Sequence, residues 1–239
     1  QIHGAHGYLV SQFLSSISNV RTDQWGGSLT NRARFVLEIY REIRRQVGSD
    51  YPIGIKINSA DFQRGGFTEK ESMEVIRLLG NEGIDLIEIS GGTYEKPAMV
   101  QGIQKQSTVS REAYFLDYIE KARKLIKTPL LLTGGFRTVK VMEKALEDGS
   151  LDVIGLARPF CLYPYLANQI FDGSVKQFDT PTPRIGIKFL DKLGGVELPW
   201  YELQIQRIGN GKSPKTDLSG IFAFWFSLKS LFFKSFWKN

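Results

Sequence analysis

Four short apolar runs set the main limit on how this chain can fold. They cover residues 52–58, 84–90, 129–133 and 151–156, and longer segments with helical periodicity separate them. Runs of this length that are rich in aliphatic residues and end at glycine or at a polar loop are typical of strands buried on both faces of a parallel sheet. The alternation therefore predicts βα units and an α/β fold.

Helix start and stop signals fall between the predicted strands. Ser28 is placed to cap a helix that ends at Gly48, and Thr68 with Glu71 forms a capping box for the next helix. Two further helices are predicted over residues 110–126 and 138–146, and Gly149 closes the second. The residues before Ser28 are interpreted as a loop that follows an earlier strand, so the predicted sheet has four strands.

Composition narrows the class of protein. The chain has 239 residues, of which 42% are hydrophobic and 23% charged, as in folded soluble proteins. One cysteine, Cys161, and two histidines cannot build an internal disulfide, an iron–sulfur cluster or a four-ligand zinc site. This cysteine usage is typical of a reducing compartment, so we expect a cytoplasmic location. The sequence contains no apolar run of about 20 residues, so we expect no membrane-spanning helix.

The net charge of +6 is concentrated near the C-terminus, where residues 200–239 hold six Lys or Arg against two acids. Since the rest of the chain is nearly neutral, a broad nucleic-acid surface is not expected. The tail, residues 221–239, contains eight aromatic residues, three Lys and no acid. Two interpretations of this tail stay open: a helix that covers apolar surface of the fold or of an oligomer, and a helix at a membrane surface.

The opening residues place two imidazoles and a phenol close together, in His3, His6 and Tyr8. If the segment turns helically, the i, i+3 spacing puts both imidazoles on one side. There they would donate hydrogen bonds to one carbonyl or nitro oxygen, with Tyr8 as a nearby proton source. A surface loop, ordinary helix packing and a metal site are the alternatives, and the metal site lacks obvious further ligands.

Two other places favour an anionic ligand. Lys56 stands in an apolar strand near its carboxyl end, where it would meet an anionic cofactor; the alternative is an edge strand with the lysine facing solvent. A glycine turn that follows one strand and an arginine that follows the next are typical of the phosphate site of many barrels. The residues in question are Gly134, Gly135, Ala157 and Arg158.

Several longer motifs occur in a characteristic order. They are Ile2–Leu9, Arg21–Ser28, Asn31–Phe35, Lys56–Asp61, Ile87–Gly92, Thr133–Gly135 and Ala157–Pro159. On these motifs the chain resembles the old yellow enzyme family of flavin oxidoreductases. The resemblance implies a TIM (β/α)8-type barrel, present here only as a partial barrel of about strands 5–8 with a C-terminal helical extension.

The resemblance also implies a domain organisation. Residues 1–175 would form the C-terminal half of an FMN-binding TIM barrel, residues 176–220 a family-like C-terminal segment, and residues 221–239 the aromatic and basic tail. In the family, the histidine pair follows the fourth barrel strand, so most of strands one to four falls outside this chain. We therefore expect this chain alone to bind FMN weakly or not at all.

The implied activity is that of an ene-reductase, in which hydride passes from NAD(P)H through N5 of FMN to the activated C=C bond of an unsaturated carbonyl or nitro compound. His3 and His6 match the pair that binds and polarises the substrate oxygen, and Tyr8 matches the proton donor. Lys56 matches a flavin contact that is usually Arg. The residues that match the phosphate grip are Gly134, Gly135, Ala157 and Arg158.

The implied partner is a small-molecule substrate rather than a nucleic acid. A homo-oligomer and contact with a membrane surface through residues 221–239 are left open. A second interpretation, from a different class, is a truncated and non-catalytic half barrel that acts only as an interaction or membrane-surface protein.

Overall fold

The computed structural model describes residues 1–92, 115–187 and 196–226. Within these ranges, five strands form one parallel sheet in chain order. They are β1 (Ile2–Gly4), β2 (Gly54–Asn58), β3 (Leu86–Ser90), β4 (Leu130–Thr133) and β5 (Val153–Gly155). Strands β2 to β5 confirm the four strands that the apolar runs predict.

Strand β1 differs from the expectation of a loop before Ser28. It pairs with β2 in parallel, and the register places His3 opposite Lys56. The local signal for a strand is weak, because Gly4 disfavours extended structure and the strand is three residues long; pairing with β2 supplies the missing stabilisation. The backbones approach closely at Gly4, where a Cβ atom would lie 3.0 Å from the carbonyl oxygen of Lys56. The helical turn expected for His3 and His6 does not form.

Helices follow the strands as predicted. They are α1 (Leu9–Leu14), α2 (Leu29–Val47), α3 (Glu69–Asn81), α4 (Leu116–Arg123), α5 (Val139–Glu147), α6 (Leu166–Phe171) and α7 (Glu197–Gly209), with a 3₁₀ turn at Arg158–Cys161. The hydroxyl of Ser28 accepts from the amide of Asn31 at the start of α2, and the capping box of Thr68 and Glu71 begins α3. The predicted start of α4 at residue 110 lies outside the described residues.

The two faces of the sheet differ in composition, because successive side chains of a strand point to opposite sides. The apolar face is fully buried and consists of Ile55, Ile57, Ile87, Ile89, Leu130 and Leu132. On the other side, His3, Lys56 and Glu88 are register partners across β1, β2 and β3. We call this second side the polar face. It is the part of the fold that positions the candidate site.

The chain consists of two compact units. The first unit comprises Gln1–Phe136 and Lys140–Gly155 and contains all five described strands. The second unit comprises Arg137–Val139 and Leu156–Asn239. It has its own core around Trp200, which is 1% exposed and whose indole Nε1 donates to the carbonyl of Leu218 at 2.8 Å.

The tail begins as a helix over residues 220–226, and its remainder lies outside the described residues. Ala223 is buried in the core of the second unit, and Phe224 and Phe226 pack against that core. Phe222 and Trp225 are 57% and 65% exposed. The start of the tail therefore packs partly within the second unit. In the described part of the chain, no helix is long and apolar enough to cross a membrane.

Candidate active site on the polar face

The two imidazoles and the phenol that the sequence singles out lie together. The ring centroids of His3 and His6 are 5.4 Å apart, and those of His3 and Tyr8 are 5.0 Å apart. His3 belongs to β1, His6 lies in the turn that follows it, and Tyr8 precedes the first residue of α1. A strand, a tight turn and a helix start therefore produce the cluster, in place of the helical turn that the spacing suggested.

The His6 ring is fixed by the ends of the next two strands. Its Nε2 atom lies 2.7 Å from Oγ of Ser90, and its backbone amide donates to Oδ1 of Asn58 at 3.2 Å. Asn58 and Ser90 are register partners at the ends of β2 and β3. His6 has a φ of 62°, which costs a residue with a side chain about 1–2 kcal/mol. The contact of the backbone amide with Asn58 stabilises this backbone conformation, and the contact with Ser90 holds the ring.

Asn58 and Ser90 were given no side-chain role by the sequence analysis. Both lie within the motifs that carry the resemblance, but nothing in their residue types separates them from ordinary loop residues. The structure shows that Asn58 also donates to the carbonyl of Gly92 at 2.9 Å and to Oδ1 of Asp61 at 3.2 Å. Asn58 thereby connects the loops that follow β1, β2 and β3.

Lys56 lies in the interior of the sheet and is paired. Strand β2 has neighbours on both sides, so the alternative of an edge strand with a solvent-facing lysine is wrong. The ammonium of Lys56 is 2.9 Å from Oε1 of Glu88, and its side chain is 20% exposed. Glu88, which the sequence analysis did not single out, is 8% exposed.

Both imidazoles are neutral at pH 7. Burial, the positive charge of Lys56 and the neighbouring His3 lower the pKa of His6 from 6.5 to about 4. Burial and Lys56 also lower the pKa of His3, although Glu88 acts in the opposite direction. A neutral imidazole has one N–H donor and one acceptor. The pair is therefore suited to hydrogen bonding with an uncharged ligand oxygen.

The lowered pKa of His6 predicts a pH dependence of stability. The unfolded chain binds a proton on this imidazole near pH 6.5, whereas the folded chain binds it only near pH 4. The free energy of unfolding should therefore fall as the pH is lowered through this window. Urea unfolding at several pH values should show a shallower fall for His6→Asn, because asparagine does not titrate. Asparagine also tolerates the positive φ at this position, so the fold should be kept. Equal pH dependence in both proteins would contradict the assignment.

The predicted phosphate residues belong to different units and are described separately. In the first unit, Gly134 and Gly135 follow β4 with φ values of 115° and 93°, which residues with side chains rarely adopt. In the second unit, Ala157 precedes the 3₁₀ turn that begins with Arg158. The guanidinium of Arg158 forms an ion pair with Glu197 at the start of α7. The phosphate role of all four residues stays a prediction.

Metal binding receives no support from the described side chains. Within residues 1–92, 115–187 and 196–226, no three His, Cys, Asp or Glu residues lie close enough to hold a metal ion. The groups that surround His3 and His6 are an amide, hydroxyls and the ion pair of the Lys56 ammonium with the Glu88 carboxylate. Such a set is suited to organic oxygen atoms and to anionic rings.

The chain is similar in sequence to a family of flavin oxidoreductases. The model of the NADH:flavin oxidoreductase / NADH oxidase family matches residues 1–177. The NADH-dependent flavin oxidoreductase nadA of Aspergillus parasiticus is 39% identical over 221 residues, which are 92% of this chain and 48% of that protein. The chain thus spans about half the length of this relative.

Solved structures agree with the sequence match. A complex of 2-naphthoyl-CoA reductase with 2-naphthoyl-CoA has a TM-score of 0.66 and 36% identity, covering 72% of this chain and 26% of that one. An old yellow enzyme homologue from Zymomonas mobilis has a TM-score of 0.58 and 22% identity, covering 75% of this chain and 47% of that one, and it supports the fold alone. These matches confirm the predicted fold class, a partial TIM barrel.

Proposed function

Since the chain belongs to the NADH:flavin oxidoreductase / NADH oxidase family, we propose that it forms the substrate-binding half of an ene-reductase. The acceptor is the activated C=C bond of an unsaturated carbonyl or nitro compound, and the hydride comes from NAD(P)H through FMN. The observation that supports this most is the cluster of His3, His6 and Tyr8 at the end of β1, beside Lys56.

In this proposal, His3 and His6 bind the oxygen of the acceptor. Each neutral imidazole has one N–H to donate, and the two rings are 5.4 Å apart. In His6 this N–H is on Nδ1, with Nε2 accepting from the Ser90 hydroxyl. As the C=C bond accepts hydride, negative charge develops on that oxygen. Preorganised donors stabilise such charge more than they stabilise the ground state, so the pair lowers the barrier. The Ser90 hydroxyl and the Asn58 amide keep His6 in place.

Tyr8 is the proton donor to the carbon next to the carbonyl or nitro group. Its phenol ring lies 5.0 Å from the His3 ring, and 44% of its surface is exposed. The proton is therefore available beside a ligand that His3 holds. A side chain placed within hydrogen-bond reach of the accepting atom contributes about 10²–10⁴-fold to such a step.

The residues present suit FMN. Two consecutive glycines with positive φ, Gly134 and Gly135, can turn successive backbone N–H groups towards a phosphate. On the polar face, the ammonium of Lys56 can meet the anionic edge of a flavin ring. FMN, when bound, accepts hydride from the nicotinamide and donates it to the acceptor.

Because half a barrel is expected to bind FMN weakly, the proposal is tested by assaying the purified protein in a large excess of FMN, with NADH or NADPH and 2-cyclohexenone. We expect nucleotide oxidation that depends on the enone and an equal amount of cyclohexanone by gas chromatography. A nitroalkene should behave in the same way. Nucleotide oxidation at the same rate with and without enone, and without a saturated product, would contradict the ene-reductase assignment.

A further inference from the structure

Glu88 occupies the centre of the polar face and gathers donors from three parts of the first unit. Its Oε1 atom accepts from the ammonium of Lys56 at 2.9 Å and from the hydroxyl of Thr133 at 2.7 Å. Its Oε2 atom accepts from the side-chain amide of Gln1 at 2.7 Å. Both carboxylate oxygens are therefore bonded, and the donors come from the chain start, β2 and β4.

Burial of such a carboxylate costs free energy unless its charge is paired and its oxygens are hydrogen-bonded. Glu88 is 8% exposed, and burying an unpaired charge is strongly unfavourable. Its hydrogen bonds outweigh the effect of burial and hold the pKa of Glu88 below its usual value, so it is ionised at pH 7. The site thus contains a fixed negative charge against the ammonium of Lys56.

Lysine needs such a partner if its charge is to have a defined position. Its ammonium is a compact charge at the end of a flexible stem, without the planar fork that orients arginine. The contact with Glu88 restricts this stem, and Thr133 and Gln1 restrict Glu88 in turn. The register places this pair in the same row as His3.

We propose that Glu88 is a positioning residue that holds the Lys56 ammonium on the polar face and balances its charge beside His3 and His6. Without the carboxylate, the ammonium would be mobile and its charge uncompensated. The ionisable groups involved are His3 from β1, His6 from the following turn, Lys56 from β2 and Glu88 from β3; β4 contributes the hydroxyl of Thr133.

The proposal rests on the proposed function only in assigning Lys56 to the flavin. The following experiment needs no flavin. The chain has two histidines, and both belong to the site, so an NMR titration of the imidazole Cε1 protons reports the local charge without other histidine signals. In Glu88→Gln, the ammonium is no longer balanced, and we expect the pKa of His3 to fall below its wild-type value. Lys56→Met should have the opposite effect.

A second readout measures position rather than charge. Competitive acetylation followed by mass spectrometry gives the reactivity of the Lys56 amine, which should rise several-fold in Glu88→Gln. Glu88→Asp keeps the charge but has a shorter reach. It should therefore leave the His3 pKa close to wild type while the Lys56 amine becomes more reactive. Glu74→Gln, which breaks an exposed ion pair with Arg77, is the matched control and should change neither quantity.

The possible outcomes are distinct. An unchanged His3 pKa together with unchanged Lys56 reactivity in Glu88→Gln would overturn the proposal. Movement of both histidines to about 6.5, the value of an unperturbed imidazole, would mean loss of the fold. If both histidine pKa values also moved to about 6.5 in Glu88→Asp, Glu88 would be a structural residue and the proposal would be wrong. Absence of enone reduction would contradict the proposed function and leave this result intact.

Discussion

Tyr8→Phe is expected to slow enone reduction by about 10²–10⁴-fold, the usual contribution of a positioned proton donor. The substitution removes the phenolic hydroxyl but keeps the ring that lies 5.0 Å from His3, so the cluster should keep its packing. The rate of flavin reduction by NADH should stay unchanged, because that step needs no proton from Tyr8. Stopped-flow measurements of the two half-reactions separate these effects.

The control for Tyr8→Phe is Tyr165→Phe. Tyr165 is 74% exposed in the second unit, and loss of its hydroxyl should leave both half-reactions unchanged. Reduced flavin should also transfer electrons to ferricyanide at the wild-type rate in Tyr8→Phe, since this acceptor takes no proton on carbon. Equal enone reduction in Tyr8→Phe and wild type would show that the proton comes from another group.

Arg32→Met is expected to lower the free energy of unfolding by about 1.5–3 kcal/mol, because it removes the charged hydrogen bonds of a buried guanidinium whose ion-pair partner, Glu71, is partly exposed. Arg32 is 4% exposed, and its guanidinium donates to the carbonyls of Leu14 and Gly27 and to the carboxylate of Glu71. Methionine fills similar space but leaves all three acceptors without this donor. Urea unfolding followed by circular dichroism measures the loss.

Arg45→Met is the matched control for this prediction. Arg45 lies in the same helix, α2, and forms an ion pair with Glu42. The side chains of Arg45 and Glu42 are 68% and 55% exposed. Exposed pairs of this kind contribute little to stability, so the variant should be close to wild type. A similar loss of unfolding free energy in both variants would show that the contacts of Arg32 contribute no more to stability than an exposed ion pair.

Much of the fold could be predicted because its signals are local. The strands are apolar runs, and the helices begin at capping residues such as Ser28 and Thr68, whose hydrogen bonds involve neighbours three residues away. Strand β1 could not be predicted in the same way. Its residues Ile2–Gly4 have weak intrinsic preference, and their extended conformation depends on pairing with β2, more than 50 residues away.

The candidate site was predictable where unusual residue types are close in sequence. His3, His6 and Tyr8 met this condition, and the structure brings them together. The conformation of His6 was not predictable, because its φ of 62° is held by contacts with two distant strands. Glu88 was missed for the same reason: an acid in an apolar strand gains its meaning only from the lysine beside it in the sheet.

The central claim is that His3 and His6 bind the acceptor on the polar face, and the most direct test is the His3→Ala/His6→Ala double variant. We predict that FMN titrations by fluorescence give the same affinity as wild type, since neither imidazole is assigned to the flavin. We also predict that kcat/KM for 2-cyclohexenone falls by at least about 10²-fold, the effect of removing one oxyanion donor. Unchanged kcat/KM for the enone, at equal FMN occupancy, would contradict the account.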